Sequence, residues 1–307
     1  MNIIGKRKIF YFISGLVIIF SVVAILVWGL NFGIDFQGGT LIELDFTPSG
    51  KEVDLNQVRE SFSKEEGIKS LSVQETGENS VLIKAEGIDK EKYNSLKDKI
   101  KNNAGDFTES RFETVGPTVS SDLKKKAFIS VGVASLAIII YLAIAFRKVP
   151  RPANSWRFGI TAVVALLHDL LFMVGLFAIL GHYFDNIVVD SLFITALLTV
   201  LGFSVHDTIV VFDRIRENLR RMAVSKNLSF SYITNESIKQ TITRSINTSF
   251  TVLIALLAVL VFGGESIFAF VLALIVGIIV GTYSSIFVAS ALLVDWTEWS
   301  IRREAKS

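Results

Sequence analysis

The sequence has no cysteine, only four prolines and three histidines in 307 residues, and only 20% charged residues. Without thiols there is no disulfide framework, zinc-thiolate centre, iron-sulfur cluster or thiol nucleophile, whichever side of a membrane the chain faces. Soluble domains carry roughly 25% charge. The low charge here, with 51% hydrophobic residues and a mean hydropathy of +0.52, speaks against an ordinary cytosolic enzyme and for a membrane protein. Hydrolase chemistry has no foothold either. The glycines at 33, 38 and 39 lack the Lys-Ser/Thr ending of a phosphate loop, and neither a strand-Ser-helix elbow nor HExxH occurs. Basic residues are not interleaved with aromatics, so nothing argues for nucleic acid.

What is present is unevenly distributed. Residues 31–123 hold 18 acidic and 11 basic side chains, whereas the remainder holds 11 acidic and 20 basic, so a net +2 conceals two differently charged bodies. A helix needs about 20 apolar residues to cross a bilayer. Segments 9–30, 127–146, 158–180, 187–212, 246–262 and 267–294 meet that requirement, and they predict six spans. The first follows Lys6-Arg7-Lys8, but its apolar stretch is too long for a signal peptide and lacks a small-residue cleavage site, so it reads as a retained anchor.

Lys and Arg are retained on the cytoplasmic side of short connections. With six spans, Lys6 to Lys8, then Arg147, Lys148, Arg151 and Arg157, then the basic residues from Arg214 to Arg244 including Lys226, then Arg302, Arg303 and Lys306 all fall on one side. The opposite short loops, 181–190 and 263–266, contain none. Both termini are therefore expected on the inner, cytoplasmic side of a membrane that the chain crosses several times. The expected layout is 1–30 for the N-terminus and first span, 31–123 for an external domain, 124–294 for spans two to six, and 295–307 for a cytoplasmic tail. The basic segment 214–226 reads as lipid-facing at the surface, with docking of a cytosolic partner as the other reading.

The external segment alternates strand and helix patterns. Strands are expected at 40–46, 71–74, 80–85 and 107–115, with a hairpin turn at Thr76-Gly77-Glu78-Asn79. Amphipathic helices are expected at 54–65, with Leu55, Val58 and Phe62 on one stripe, and at 90–102, with Tyr93, Leu96 and Ile100 inward. The order is βαββαβ, a ferredoxin-like α+β domain between spans one and two of an α-helical polytopic membrane protein. Such a fold hosts many functions.

Charged groups inside apolar helices carry most of the remaining signal. A carboxylate in hydrocarbon costs roughly 2.5–3.5 kcal/mol on insertion scales and is by default a functional candidate. Asp169, Asp207 and Asp213 qualify. Asp213 adjoins Arg214 and Arg216 and reads first as an interfacial ion pair, with a functional role secondary. Asp207 is six residues deeper, about 9 Å along a helix, and Arg244 opens the next span in the same leaflet. An Asp-Arg pair held away from water can titrate as its partner moves, or can simply join two helices. His168-Asp169 repeats as His206-Asp207, but consecutive helical residues point about 100° apart and seldom share a metal. No metal site is expected. His206 is either a second titrating group or a hydrogen-bonding spacer. Asp169 is either a relay acid or a structural partner of a polar residue such as Thr199 or Asn247. Ala269, Ala273, Gly277, Gly281, Ser285 and Ala289 form a four-residue ladder that lets helices approach closely. It faces either the fourth span or a partner subunit.

Four motifs together carry a resemblance. GIDFQGGT at 33–40, VGPTVSSDLKKKA at 115–127, GFSVHDTIVVFDRIREN at 202–218 and TITRSINTSFT at 241–251 occur in order on this layout. In them the chain resembles the SecF family, the smaller subunits of the bacterial SecD-SecF pair within the resistance-nodulation-division superfamily. The resemblance covers the whole chain, and it implies a multi-pass protein of the bacterial cytoplasmic (inner) membrane. It implies a non-enzymatic auxiliary subunit that uses the proton gradient, with no bound cofactor, to promote export of a translocating polypeptide. It also implies SecD, the SecYEG channel and SecA as partners, and places Asp207 and Arg244 at the family's proton-relay positions. A small-molecule proton antiporter of the same superfamily and a passive scaffold of the translocase are the alternative readings.

Overall fold

The computed structural model describes residues 2–49, 53–63, 68–75, 79–147, 149–150, 153–184, 186–222 and 228–304. Residues 76–78 of the expected hairpin turn, 64 and 65 at the end of the expected first external helix, and Lys148, Arg151, Lys226 and Lys306 lie outside them. The chain divides into two compact units, one formed by residues 1–31 and 128–307 and the other by 32–127.

The second unit opens with a single helical turn, α2 (Ile34–Gln37), which the sequence reading did not anticipate. The remaining order is β1 (Gly39–Asp45), α3 (Leu55–Ser63), β2 (Lys69–Glu75), β3 (Ser80–Glu86), α4 (Lys90–Ala104) and β4 (Thr108–Val115). Its sheet is antiparallel with strand order β2-β3-β1-β4. This is the ferredoxin-like arrangement that the βαββαβ pattern predicts. Strand β1 alternates outward and inward residues, so Ile42 and Leu44 reach a core closed by Val58 and Phe62 of α3 and by Tyr93, Leu96 and Ile100 of α4. Gly38 and Gly39, with φ of +80° and +119°, make the turn into β1. At Gly39 a Cβ would stand 3.0 Å from the Ala85 carbonyl oxygen, so the backbone conformation and the neighbouring strand both call for glycine.

Lys97 places its ammonium 2.7 Å from Glu109 and holds that carboxyl below its ordinary value, while burial pushes the Tyr93 hydroxyl up. A carboxyl depressed in the folded state contributes stability above its unfolded pKa, and that contribution fades as pH falls through the folded value. The sheet unit should therefore weaken on acidification from about pH 4.5 downward. Glu109→Gln should flatten that acid limb, as read by urea unfolding followed through hydrogen exchange of the β4 amides. Equal acid losses in both proteins would refute the assignment.

Six helices among the described residues are long and apolar enough to cross a membrane. They are α1 (Arg7–Trp28), α5 (Pro117–Ala145), α6 (Ser155–Tyr183), α7 (Ser191–Met222), α8 (Phe230–Phe262) and α9 (Phe268–Tyr283), the last running through a π-helical turn, Ser284–Ala289, into α10 (Ser290–Glu304). Helices α7 and α8 are longer than expected. Their polar ends, Asp213 to Met222 and Phe230 to Ser245, lie outside the apolar count but pack on each other, with Asn218 donating to Ser237 (2.8 Å) and Gln240 (3.1 Å). Helix α7 starts at Ser191, not 187, because Asp190 accepts from the Phe193 N–H (2.9 Å) and caps it.

The helical unit is tied at its basic end. Asn235 accepts from the N–H groups of Ile3 (2.8 Å) and Ile4 (3.3 Å), and Asp295 of α10 binds Arg7 and Tyr11 of α1 at 2.8 Å each. Helix α1 lies so close to α6 that a Cβ on Gly175 would fall 2.3 Å from the Ser21 Cβ. Its other face is lipid-like, with Phe12 and Leu26 exposed.

Candidate functional site

Helices α6, α7, α8 and the π-helical turn converge on a buried polar seam inside the apolar bundle. The helical repeat explains its make-up. Ser204 and Thr208 share one face of α7 at i and i+4, and Ser245 and Ser249 do the same on α8. Each upper hydroxyl donates to the carbonyl four residues back, Thr208 to Ser204 (3.0 Å) and Ser249 to Ser245 (2.9 Å). Hydroxyls thus enter hydrocarbon with their protons already placed.

Asp169 is the hub of the seam. Its Oδ2 accepts from Ser204 of α7 (2.6 Å) and from Ser284 of the π turn (2.7 Å), and its Oδ1 lies 3.0 Å from His168 Nδ1. The expected partners Thr199 and Asn247 play no part. Both are exposed, because their positions on α7 and α8 lie off the buried faces. The His168 ring lies beside that of Tyr283, whose hydroxyl reaches Ser14 of α1 (3.1 Å). One residue beyond Ser284, Ser285 meets Thr208 of α7 at 2.8 Å. The π turn therefore grips α6 and α7 at once, and π turns are frequent at functional sites.

Asp207 is held differently. It is 6% exposed, its Oδ1 accepts from Ser245 of α8 at 2.5 Å, and its Oδ2 is buried with no protein donor among the described residues. The expected ion pair with Arg244 is not formed. Arg244 is exposed on α8, and its successor Ser245 takes the inward position, a rotation of about 100°. His206 is likewise exposed and makes no hydrogen bond to the carboxylate beside it in sequence. Asp213 pairs with Arg216 at the basic end and is half exposed.

The small-residue ladder meets α7. A Cβ on Gly277 would stand 2.2 Å from Val200 Cγ2, and one on Gly281 would stand 3.0 Å from the Ser204 Cβ. Ala273 is fully buried. These contacts set α9 against the stretch of α7 that presents Ser204, Asp207 and Thr208. Sequence reasoning found the carboxylates and missed the hydroxyls that hold them. The available signal was the paired spacing Ser204/Thr208 and Ser245/Ser249. Asp295, assigned to the tail, also proved to be an anchor for α1.

A bundle of membrane-spanning helices with an inserted ferredoxin-like domain and buried carboxylates at its centre defines a multi-pass membrane protein built around an internal polar site. Comparison with known proteins names the group. The family described as "Protein export membrane protein SecD/SecF, C-terminal" matches residues 95–299, and "SecD/SecF GG Motif" matches residues 23–49. Protein translocase subunit SecF of Thermobaculum terrenum is 46% identical, with 96% of this chain and 94% of that protein aligned. SecF of Anaerolinea thermophila is 40% identical, covering 97% and 96%. The crystal structure of SecDF from Thermus thermophilus, described as a translocon-associated membrane protein, superposes with a TM-score of 0.82 at 32% identity. That alignment covers 97% of this chain, which spans only 39% of the SecDF polypeptide. The chain belongs to the SecD/SecF family, on its SecF side.

Proposed function

We propose that this chain is an auxiliary subunit of the bacterial Sec protein translocase, that it works with SecD in the cytoplasmic membrane, and that inward movement of protons through its helical unit promotes export. The single observation that carries the proton role is the Asp207 carboxylate. Asp169 has all its near donors in place, whereas Asp207 keeps one buried oxygen open, and that oxygen can take and release a proton. No cofactor is needed for this chemistry. Arg244, exposed beside Ser245, is the cation whose approach would favour the ionised carboxylate.

The case for SecD as partner rests on the exposed faces of α7 and α8. His206, Asn247 and Thr251 are exposed on the apolar stretches of α7 and α8, with Arg244 at their edge, where a polar group facing lipid is costly. A second membrane protein covering that face removes the cost. The SecDF proteins of Bacillus subtilis and Thermus thermophilus, in which this chain matches 39% of each polypeptide, support SecD as that protein. The distribution of Lys and Arg supports cytoplasmic termini and an external sheet unit that meets the emerging polypeptide, with SecYEG and SecA at the channel. One charge crossing 100 mV is worth about 2.3 kcal/mol, against about 5–15 to unfold a domain. A single proton thus biases sliding of an unfolded chain and does not unfold cargo.

The test uses vesicles containing SecYEG, SecA, SecD and this chain. Asp207→Asn should remove the increment in export that depends on the proton gradient, while SecD still co-purifies. Gradient-dependent export at the wild-type level in that variant would overturn the reading and favour a passive scaffold.

A further inference from the structure

We propose that the groove between the C-terminal end of α5 and the first turns of α6 is a binding site for one anionic phospholipid. Helix α5 joins the bundle near its basic end, where Leu142 is buried and Phe146 packs on Phe158 (ring centroids 5.3 Å apart) and Phe212 (5.9 Å). Beside this contact lies a cavity of about 520 Å³, within the size range of small-molecule sites.

The lining has the polarity of a lipid. Ile139 and Ala143 of α5 face Ile160 and Val164 of α6 across the groove, so its walls are hydrocarbon at membrane depth. Such a slot suits an acyl chain and rejects a polar solute, whose groups would find no partners there. Arg147 and Trp156 stand at the basic end of the same cavity. Arg147 is exposed, one turn beyond Ala143, and its guanidinium forms no hydrogen bond or ion pair among the described residues. Trp156 is 69% exposed, placed as an interfacial aromatic at headgroup level. The apolar slot thus ends, on its basic side, at an aromatic and a cation together, which matches the tail and the polar ester-phosphate region of a phospholipid.

Charge decides the headgroup. No carboxylate lines the cavity among the described residues, only the neutral Asn154 and Ser155, so no opposite charge there answers the amine of a zwitterionic lipid, whereas Arg147 answers a net negative phosphate diester. Gly159 lines the groove, and a Cβ built on it meets nothing within 4 Å. A larger residue there can fill the slot without striking protein.

The test is native mass spectrometry of the full chain purified with SecD, exposed to phosphatidylglycerol, phosphatidylethanolamine and phosphatidylcholine of identical tails. Wild type should retain one phosphatidylglycerol in preference to the other two by about fivefold, the size of one Arg acting on an anionic headgroup. Arg147→Ala should lose the headgroup preference while still holding lipid. Gly159→Leu should lose the bound lipid, with an unchanged melting temperature in detergent showing that it folds. Added inorganic phosphate should not displace the lipid, since the tail supplies the anchoring. Equal retention of the three lipids by wild type would overturn the proposal. So would an undiminished preference in Arg147→Ala, or undiminished retention in a folded Gly159→Leu.

Discussion

Asp169→Ala is expected to prevent the helical unit from folding stably, a larger structural loss than any other single side-chain truncation at the seam. The substitution deletes the acceptor shared by Ser204 and Ser284 and the partner of His168 Nδ1, all of them buried. A buried donor left without an acceptor costs about 1–3 kcal/mol, and this deletion strands more than one of them at once. Asp169→Asn should recover much of the loss, because its amide oxygen can still accept from both serines while its NH₂ faces the histidine ring. The measurement is thermal unfolding in detergent, with co-purification of SecD as a second readout. An unchanged melting temperature for Asp169→Ala would show that the three helices do not depend on this carboxylate. Asp207→Asn should fold normally in the same assay, which separates the acid that holds the bundle from the acid proposed to exchange protons.

The second large effect is expected at two glycines where one helix meets another, Gly277 and Gly175. On Gly277 a Cβ would fall 2.2 Å from Val200 Cγ2, 2.7 Å from Val200 Cγ1 and 2.9 Å from Met173 Sδ, and on Gly175 it would fall 2.5 Å from the Ser21 Cα. The first clash is with side chains, the second with main chain as well. Overpacking of this kind typically costs about 1–3 kcal/mol and sometimes more. Gly277→Ala should therefore be rescued in large part by Val200→Ala, which removes the obstructing methyls. Gly175→Ala should have no such rescue, since Ser21 contributes backbone. Gly132→Ala, where a Cβ meets nothing within 4 Å, is the neutral control. Melting temperatures of these variants in one detergent decide the matter. A Gly175→Ala protein as stable as Gly132→Ala would mean that α1 can move away from α6 at little cost.

Much of the architecture was legible because period and length survive any packing. Ile42 and Leu44 alternate whatever sheet they join, and the apolar runs announce six spans regardless of their neighbours. Helix ends were less legible. The polar first half of α8 looks like a loop until Ser237 and Gln240 are seen to receive Asn218. In the site, the carboxylates stood out because charge is rare in hydrocarbon, and the leaflet shared by Asp207 and the start of α8 followed from counting residues. What counting does not supply is rotation about the helix axis. Whether Arg244 or Ser245 faces Asp207 turns on about 100°, and only the packing of α8 on α7 and α9 sets that angle. Serine and threonine are too common in membrane helices for Ser204, Ser245 or Ser284 to stand out alone.

The π-helical turn has a further geometric effect on α9. Residues spaced by four on an α-helix drift about 40° around the axis at each step, since 3.6 residues complete a turn. Ala273, Gly277, Gly281 and Ser285 keep that spacing, and so do Ala289, Leu293 and Thr297, all buried. An unbroken α-helix would spiral this row away from α7 and out toward lipid. The wider i+5 turn at Ser284–Ala289 winds the row back by holding an extra residue in one revolution. The turn thus acts as a phase correction, and it allows a single line of side chains to stay inside the protein from one end of the span to the other.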